Sequence, residues 1–221
     1  MSSTNLHGLL NPNEASVTLI LIRHGQTEWN LANKLQGWRD SPLTTQGRKT
    51  LLRTAVNNRL CHLYKPDVVY TSDLGRAMAS ARIICNKSGG YIVPDQRLRE
   101  RRFGILEGKQ KNECDDGFLL IQHWLAYQKR YEKRLDACQT IAAELLAESE
   151  PMFEHRVVGF LRTLARRHAG KTIYVVSHGE WIRCANNILH GRTSWAYGHG
   201  IPMNTEMNIF ELKISQLNLS E

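Results

Sequence analysis

Apolar residues along the chain fall into two rhythms. Short β-branched runs occupy residues 17–22, 68–71 and 172–177, each too brief for a helix and too continuously apolar for a water-facing sheet, so they predict buried strands. Longer stretches with apolar positions three or four apart follow each run. They predict helices over residues 43–62, 74–85 and 180–190, the second stopped by Gly89-Gly90 and the third by Gly191. Ser149 ahead of Glu150-Pro151 reads as an N-cap with proline in the first turn, opening a helix that runs to about His168 and ends at Gly170. Residues 207–213 alternate apolar and polar and predict a last strand at or near a sheet edge. Strands and helices in alternation give the α/β class: a three-layer αβα arrangement with a largely parallel central sheet.

Two segments stand outside this rhythm. Residues 1–16 are polar and contain Asn11-Pro12-Asn13, which predicts a flexible tail. Between Gly108 and Ser149 lies a helical pattern rich in aromatic and basic residues, among them Phe118, Trp124, Tyr127, Lys129 and Arg130. It predicts a mostly helical cap inserted over about residues 109–149. Residues 17–221 are otherwise expected to form a single domain, a size that buries enough surface to fold without disulfide or metal.

Composition narrows the classes. The chain is 42% hydrophobic and 23% charged, ordinary for a globular protein, and no run approaches the ~18 apolar residues of a membrane helix. Its 5 cysteines are odd in number and lack a C-x-x-C pair, which predicts reduced thiols and no zinc site. The N-terminus has no basic segment followed by an apolar one, so a cytoplasmic location is expected. A net charge of +8 biases the surface toward anions such as phosphates, although a solvated basic surface explains it equally well. Zinc-finger spacing and RNA-recognition motifs are missing, so neither a nucleic-acid nor a membrane partner is expected. Oligomeric state is not written in the sequence, which leaves room for a homo-oligomer.

Ligands of open α/β sheets bind beyond the carboxyl ends of the strands, and the side chains found there are chemically coherent. The first predicted strand runs into Arg23-His24-Gly25-Gln26-Thr27-Glu28-Trp29-Asn30, the second into Thr71-Ser72-Asp73-Leu74-Gly75-Arg76, and the third into Ser177-His178-Gly179-Glu180. Two arginines and two histidines therefore lie past three strand ends, two of which open helices whose first-turn N–H groups favour anions. Guanidinium forks suit phosphoryl oxygens, and a neutral imidazole attacks phosphorus if its other nitrogen is held protonated by a hydrogen bond. A cation in the first turn opposes the helix dipole, so Arg76 is expected to answer a bound anion.

These residues resemble the signature of the histidine phosphatase superfamily, which includes the cofactor-dependent phosphoglycerate mutases. The resemblance extends through Gln36-Gly37-Trp38, Ser41-Pro42-Leu43-Thr44, Gly47, Ser72-Asp73-Leu74-Gly75-Arg76-Ala77, Leu98-Arg99-Glu100, Phe103-Gly104, Leu106-Glu107-Gly108 and Ser177-His178-Gly179, in the family's order. It implies that His24 becomes phosphohistidine, that Arg23, Arg76 and His178 hold the phosphoryl oxygens, and that Glu100 protonates the leaving alcohol and then deprotonates water. Asn30 and the Gly179 backbone complete the implied pocket, with Gln36 and Gly37 at its rim and Thr27 among the substrate contacts. No metal enters this scheme, because cationic side chains do what Mg²⁺ does elsewhere.

Several readings stay open at this point. If the segment around Glu100 is extended, Arg102 shares its face while Arg99 and Arg101 point away; arginine neighbours then keep the carboxylate ionised until a phosphate dianion pushes it back. Glu28 and Glu180 are alternative acids. His123 and Lys129-Arg130 are candidates for the rest of a substrate. A phosphomonoesterase acting on a small phosphorylated metabolite is favoured, because the terminal stub is short and Phe103 stands where the mutases typically have a tyrosine. The alternative is a mutase, to which Arg101, Lys111 and Lys129-Arg130 point and which alone needs 2,3-bisphosphoglycerate as a primer. A non-enzymatic scaffold for polyanions is the third reading.

Overall fold

The middle of the sheet explains why the first strand is apolar on both faces. In the computed structural model, which describes residues 16–57, 62–110, 146–194, 196 and 200–217, β1 (Val17–Arg23) has a neighbour on each side and a helical layer on each face. The other strands are β2 (Val68–Thr71), β3 (Tyr91–Pro94), β4 (Thr172–Ser177) and β5 (Met207–Leu212), in the order β3-β2-β4-β1-β5. All neighbours are parallel except β5, which runs antiparallel to β1 at the edge. The five strands form the mixed, mostly parallel sheet of an α/β fold.

Alternation along each strand sorts side chains between two helical layers. Ile20, Ile22, Val69, Tyr174 and Val176 pack with Leu51 of α2 (Thr45–Asn57) and with Ala77, Ala81 and Ile84 of α3 (Gly75–Ser88). Val17, Leu19, Leu21, Ile173 and Val175 pack on the other side. Their partners are Phe153, Val157 and Phe160 of α4 (Glu150–Arg167) and Trp181, Ile182 and Ala185 of α5 (Gly179–Leu189). α5 is buried all round, which its amphipathic reading did not anticipate. A short helix, α1 (Glu28–Leu31), follows β1. Among the described residues no helix is long and apolar enough to cross a membrane.

The element boundaries differ from expectation in a few instructive places. Leu43 lies outside α2 and bridges Thr27, so the helix starts only at Thr45. α3 continues to Ser88 before Gly89, at φ 85°, ends it. β3 went unforeseen: four residues at an edge, partly exposed and ending in proline, carry little apolar signal. Ser149 caps α4 as expected, its hydroxyl accepting the Met152 N–H. Residues 1–15 of the expected tail and residues 111–145 of the expected cap, Lys111, His123, Lys129 and Arg130 included, lie outside the described residues.

Register levels the ends that matter. Arg23 pairs with Ser177 and Thr71 with Val176, so three strands finish side by side. Met207 pairs with Ile22, so the loop before β5 arrives at the same end. The loop after β1 is propped from below by the start of α2: the Thr44 N–H donates to the Gln26 carbonyl at 2.9 Å and the Thr44 hydroxyl to Gln26 Oε1 at 3.1 Å. Gly47 makes that approach feasible, because a Cβ there would overlap the Gln26 backbone. We expect Gly47→Ala to cost about 1–3 kcal/mol of folding stability, the usual range for overpacking. An unchanged denaturation midpoint would contradict this packing.

Candidate active site

Four of the five residues expected to carry the chemistry, Arg23, His24, Arg76 and Glu100, line one cavity beyond the strand ends. It measures about 60 Å³. That is space for about four water-sized groups at ~15 Å³ each, the scale of a phosphoryl group. The fifth, His178, is fully buried against His24, with ring centroids 5.1 Å apart, and is not itself on the cavity surface. Asn30, Gln36, Gly37 and Gly179 also line the cavity.

The tautomer of His24 follows from its neighbour. Its Nδ1 lies 2.8 Å from the Gly25 carbonyl, an atom that can only accept, so Nδ1 carries the proton and Nε2 keeps its lone pair. Burial, followed by the charges of Arg76 and Arg23, holds the His24 pKa well below its ordinary value. The ring is therefore neutral and nucleophilic at Nε2. Its backbone is fixed from both sides: the Gly25 N–H donates to the Ser80 hydroxyl at 3.0 Å, and Asn204 Nδ2 donates to the His24 carbonyl at 2.9 Å. His178 is likewise held well below its ordinary pKa, by burial first and then by Arg76 and His24.

The two arginines are held by carbonyls and one carboxylate. Arg23 Nη1 donates to the Pro202 carbonyl at 2.6 Å. Arg76 donates to the carbonyls of Arg39 and Gly37, both at 2.7 Å, and to Asp40 Oδ1 at 3.2 Å. Asp40 also accepts the Arg76 backbone N–H at 3.2 Å. Asp40 thus offsets the first-turn cation from within the chain, beside the cavity where a bound anion was expected. Nε of Arg23, Nε of Arg76 and both ring nitrogens of His178 are buried without a hydrogen-bond partner in the protein. Such groups are costly to leave unpaired, and phosphoryl oxygens can accept from the two arginine Nε–H groups and from the single N–H that a neutral His178 carries.

Glu100 is set differently from expectation. Burial, reinforced by Glu180, raises its pKa, while the Arg101 N–H, Arg76 and Arg23 pull the other way. The net shift is upward, so burial and Glu180 outweigh the arginines that were expected to hold the carboxylate ionised. Its oxygens accept the Arg101 N–H at 3.0 Å and the Glu180 N–H, in the first turn of α5, at 3.3 Å. Glu180 lines the cavity and is paired with Arg183 at 2.8 Å, whereas Glu28 is exposed and away from it.

Three expected contacts are rearranged. Thr27 is the fully buried N-cap of Glu28–Leu31, and its backbone N–H and hydroxyl hold Asn30 Oδ1 at 3.1 and 3.0 Å, so it orients Asn30 and is not itself on the cavity wall. With the Asn30 oxygen so occupied, only its NH2 end can serve a phosphoryl oxygen. Arg101 is turned inward, its Nε on the Glu148 carbonyl at 3.0 Å and its Nη1 3.3 Å from Glu150, and does not reach the cavity. Arg99 and Arg102 both lie over the Trp38 ring, at 4.7 and 5.6 Å, so the alternation expected of an extended strand fails here. The cause is a 3-10 turn at Gln96–Leu98 followed by irregular chain.

Sequence reasoning passed over Lys34, Leu35 and Ile201 on the cavity wall and Pro202, Asn204, Ser80 and Asp40 behind it. The last strand was expected at or near an edge without a partner or direction; its antiparallel pairing with β1 is what brings the residues before Met207 beside His24. Gly179 meets this loop closely: a Cβ there would lie 2.6 Å from Ile201 and 3.5 Å from the Arg23 guanidinium. Among the described residues no cluster of His, Cys, Asp or Glu is arranged to hold a metal ion.

The depressed histidines make folding stability depend on pH. Once the chain unfolds they titrate near ~6.5, so below that pH the unfolded chain binds protons that the folded one refuses. Their contribution is complete above this range and is lost as pH falls; Glu100, with its raised pKa, acts in the opposite sense as pH rises above its ordinary range. His24→Gln is expected to remove about 1 kcal/mol of the stability difference between pH 6.5 and 5.5. Identical pH dependence in denaturant unfolding of both proteins would contradict a neutral His24.

Comparison with known proteins agrees with this geometry. The model of the histidine phosphatase superfamily (branch 1) matches residues 19–220. The 2,3-bisphosphoglycerate-dependent phosphoglycerate mutase of Bifidobacterium longum is 32% identical over 194 residues, covering 77% of this chain and 76% of that protein. Among solved structures, Bacillus stearothermophilus YhfR superposes with a TM-score of 0.71 at 28% identity, covering 87% of this chain and 90% of that one. A mutant phosphoserine phosphatase of Entamoeba histolytica, in complex with phosphoserine, gives 0.68 at 26% identity over 88% and 90% of the two chains. With its pocket and its sequence in accord, the chain belongs to the histidine phosphatase superfamily and is a phosphoryl-transfer enzyme.

Proposed function

We propose that the protein is a metal-independent phosphomonoesterase that hydrolyses a small phosphorylated metabolite through a phosphohistidine on His24. His24 Nε2 attacks phosphorus in line with the ester oxygen; the P–N bond forms, the P–O bond breaks, and Glu100 gives its proton to the departing alcohol. Arg23, Arg76 and His178 supply hydrogen-bond donors to the phosphoryl oxygens, where charge is held in the transition state. Water then attacks the phosphohistidine, Glu100 takes its proton, and inorganic phosphate leaves with His24 neutral again. A scaffold that merely binds polyanions has no use for a neutral nucleophile beside a carboxylic acid.

The observation that favours hydrolysis over mutase chemistry is the wall beyond the phosphoryl seat. Leu35, Phe103 and Ile201 form it together with Glu180, whose carboxylate is paired with Arg183, and among the described residues Lys34 is the one lining cation outside the seat. A mutase primed by a bisphosphorylated acid needs basic groups for a second anion and for a carboxylate, and an apolar wall supplies neither. The mutase reading is kept as the alternative because of the 32% identity to a named mutase. This proposal has a small phosphorylated molecule as its partner and involves no nucleic acid or membrane.

A panel of phosphorylated metabolites assayed in EDTA, with and without 2,3-bisphosphoglycerate, tests the reading. Phosphate release is expected to persist in the chelator and to outpace any primed interconversion of 2- and 3-phosphoglycerate. Activity lost in EDTA and restored by Mg²⁺, or primed interconversion faster than hydrolysis, would overturn it.

A further inference from the structure

The acid sits on a piece of chain that cannot hold its own shape. Residues 99–103 follow a single 3-10 turn and belong to neither helix nor strand. Their main-chain carbonyls must find donors elsewhere. One side chain supplies two of them and reaches a third carbonyl in the turn before. Arg156, on α4, donates from Nη1 to the carbonyls of Arg97 at 2.8 Å and Arg99 at 2.6 Å, and from Nη2 to the carbonyl of Glu100 at 2.8 Å. Its remaining face is locked by Glu148, with Nε to Oε1 at 2.6 Å and Nη2 to Oε2 at 2.8 Å. Glu148 in turn accepts the Arg102 N–H at 3.3 Å, and its own N–H donates to the Arg102 carbonyl at 2.9 Å. The Glu100 carbonyl receives a second donor, Trp38 Nε1, at 2.8 Å.

We propose that Arg156 is a positioning residue for the acid step: a mostly buried guanidinium, anchored on Glu148, that fixes the backbone from Arg97 to Glu100 and so sets where the Glu100 carboxyl meets the leaving oxygen. The inference rests on the assignment of Glu100 as the acid. Arg156 is not on the cavity wall, so it acts through the main chain. The carboxyl is sensitive to such movement because its own anchors are main-chain N–H groups, those of Arg101 on the same loop and Glu180 on α5. A shift of about 1 Å between those two supports is enough to spoil a proton transfer. Lysine cannot replace the clamp, since one ammonium on a flexible stem does not reproduce a rigid fork spanning three carbonyls and a carboxylate.

The test separates positioning from mere stapling of α4 to the loop. p-Nitrophenolate leaves without a proton, whereas the alkoxide of an alkyl phosphate does not, so only the second reaction needs a well-placed acid. The readout is the ratio of kcat/KM for p-nitrophenyl phosphate to that for β-glycerophosphate, in variants shown by circular dichroism to be folded. Glu100→Gln is expected to raise this ratio at least about 100-fold, and Arg156→Lys to raise it at least about tenfold, within the reach of general acid catalysis. Trp38→Phe, which removes only the second donor to the Glu100 carbonyl, should raise it by a smaller factor. If Glu100→Gln raises the ratio and Arg156→Lys slows both substrates equally or neither, the positioning role is overturned. Should Arg156→Lys fail to fold, an unmoved ratio in Trp38→Phe overturns it instead. A ratio unmoved by Glu100→Gln rejects Glu100 as the acid, and with it the clamp's role.

Discussion

Two guanidinium groups, those of Arg23 and Arg76, flank the pocket beyond the strand ends, with the His24 ring on its wall and the His178 ring buried behind it, and their charge adds to burial in setting the state of both imidazoles. Neither arginine can shed its proton at accessible pH. Each is instead satisfied in part by fixed acceptors, Pro202 for one and Gly37, Arg39 and Asp40 for the other. The same charges, added to burial, drive the proton off the His24 ring. A nucleophile next to permanent cations stays neutral in mild acid, where an exposed histidine would be protonated and inert. The Gly25 carbonyl then decides which nitrogen is left to react.

The acid is governed by the opposite balance. Glu100 is surrounded by the same arginines, yet burial and the neighbouring Glu180 outweigh them and keep its proton on to higher pH than a free glutamate would hold it. Histidine pushed down and glutamate pushed up is the separation that acid–base chemistry on a phosphate ester requires. Both shifts depend on geometry that the sheet alone does not provide. The strands bring Arg23, His24 and His178 together, but Glu100 arrives on irregular chain fixed from α4 and from Trp38.

Strand ends were legible because β-branched runs in a covered sheet are apolar on both faces, and the polar residues that follow them must lie where the strands finish. The short edge strand Tyr91–Pro94 was not, since half-exposed residues carry no period over four positions. Chemistry at strand ends could be placed by residue type, but side-chain direction in the Arg97–Arg102 cluster could not. Alternation holds only for extended chain, and the 3-10 turn before Arg99 breaks it, so Arg101 points into the protein and Arg99 joins Arg102 on Trp38. Thr27 shows a related limit: a hydroxyl near a phosphate site looks like a ligand, while its capping box with Asn30 uses both of its polar groups. Pro202 and Asn204 have no motif of their own; antiparallel pairing of β5 with β1 places them.

In the proposed reaction phosphorus passes through a bond to His24. Rapid quench of the enzyme with a phosphorus-32-labelled monoester, followed by peptide mapping, tests it most directly. A transient label is expected on the peptide that contains His24, stable in alkali and lost in acid, as a phosphoramidate is, and absent from the His24→Ala protein. An acid-stable label on a serine or aspartate, or hydrolysis that proceeds with full rate and no labelled enzyme at any time, would contradict it.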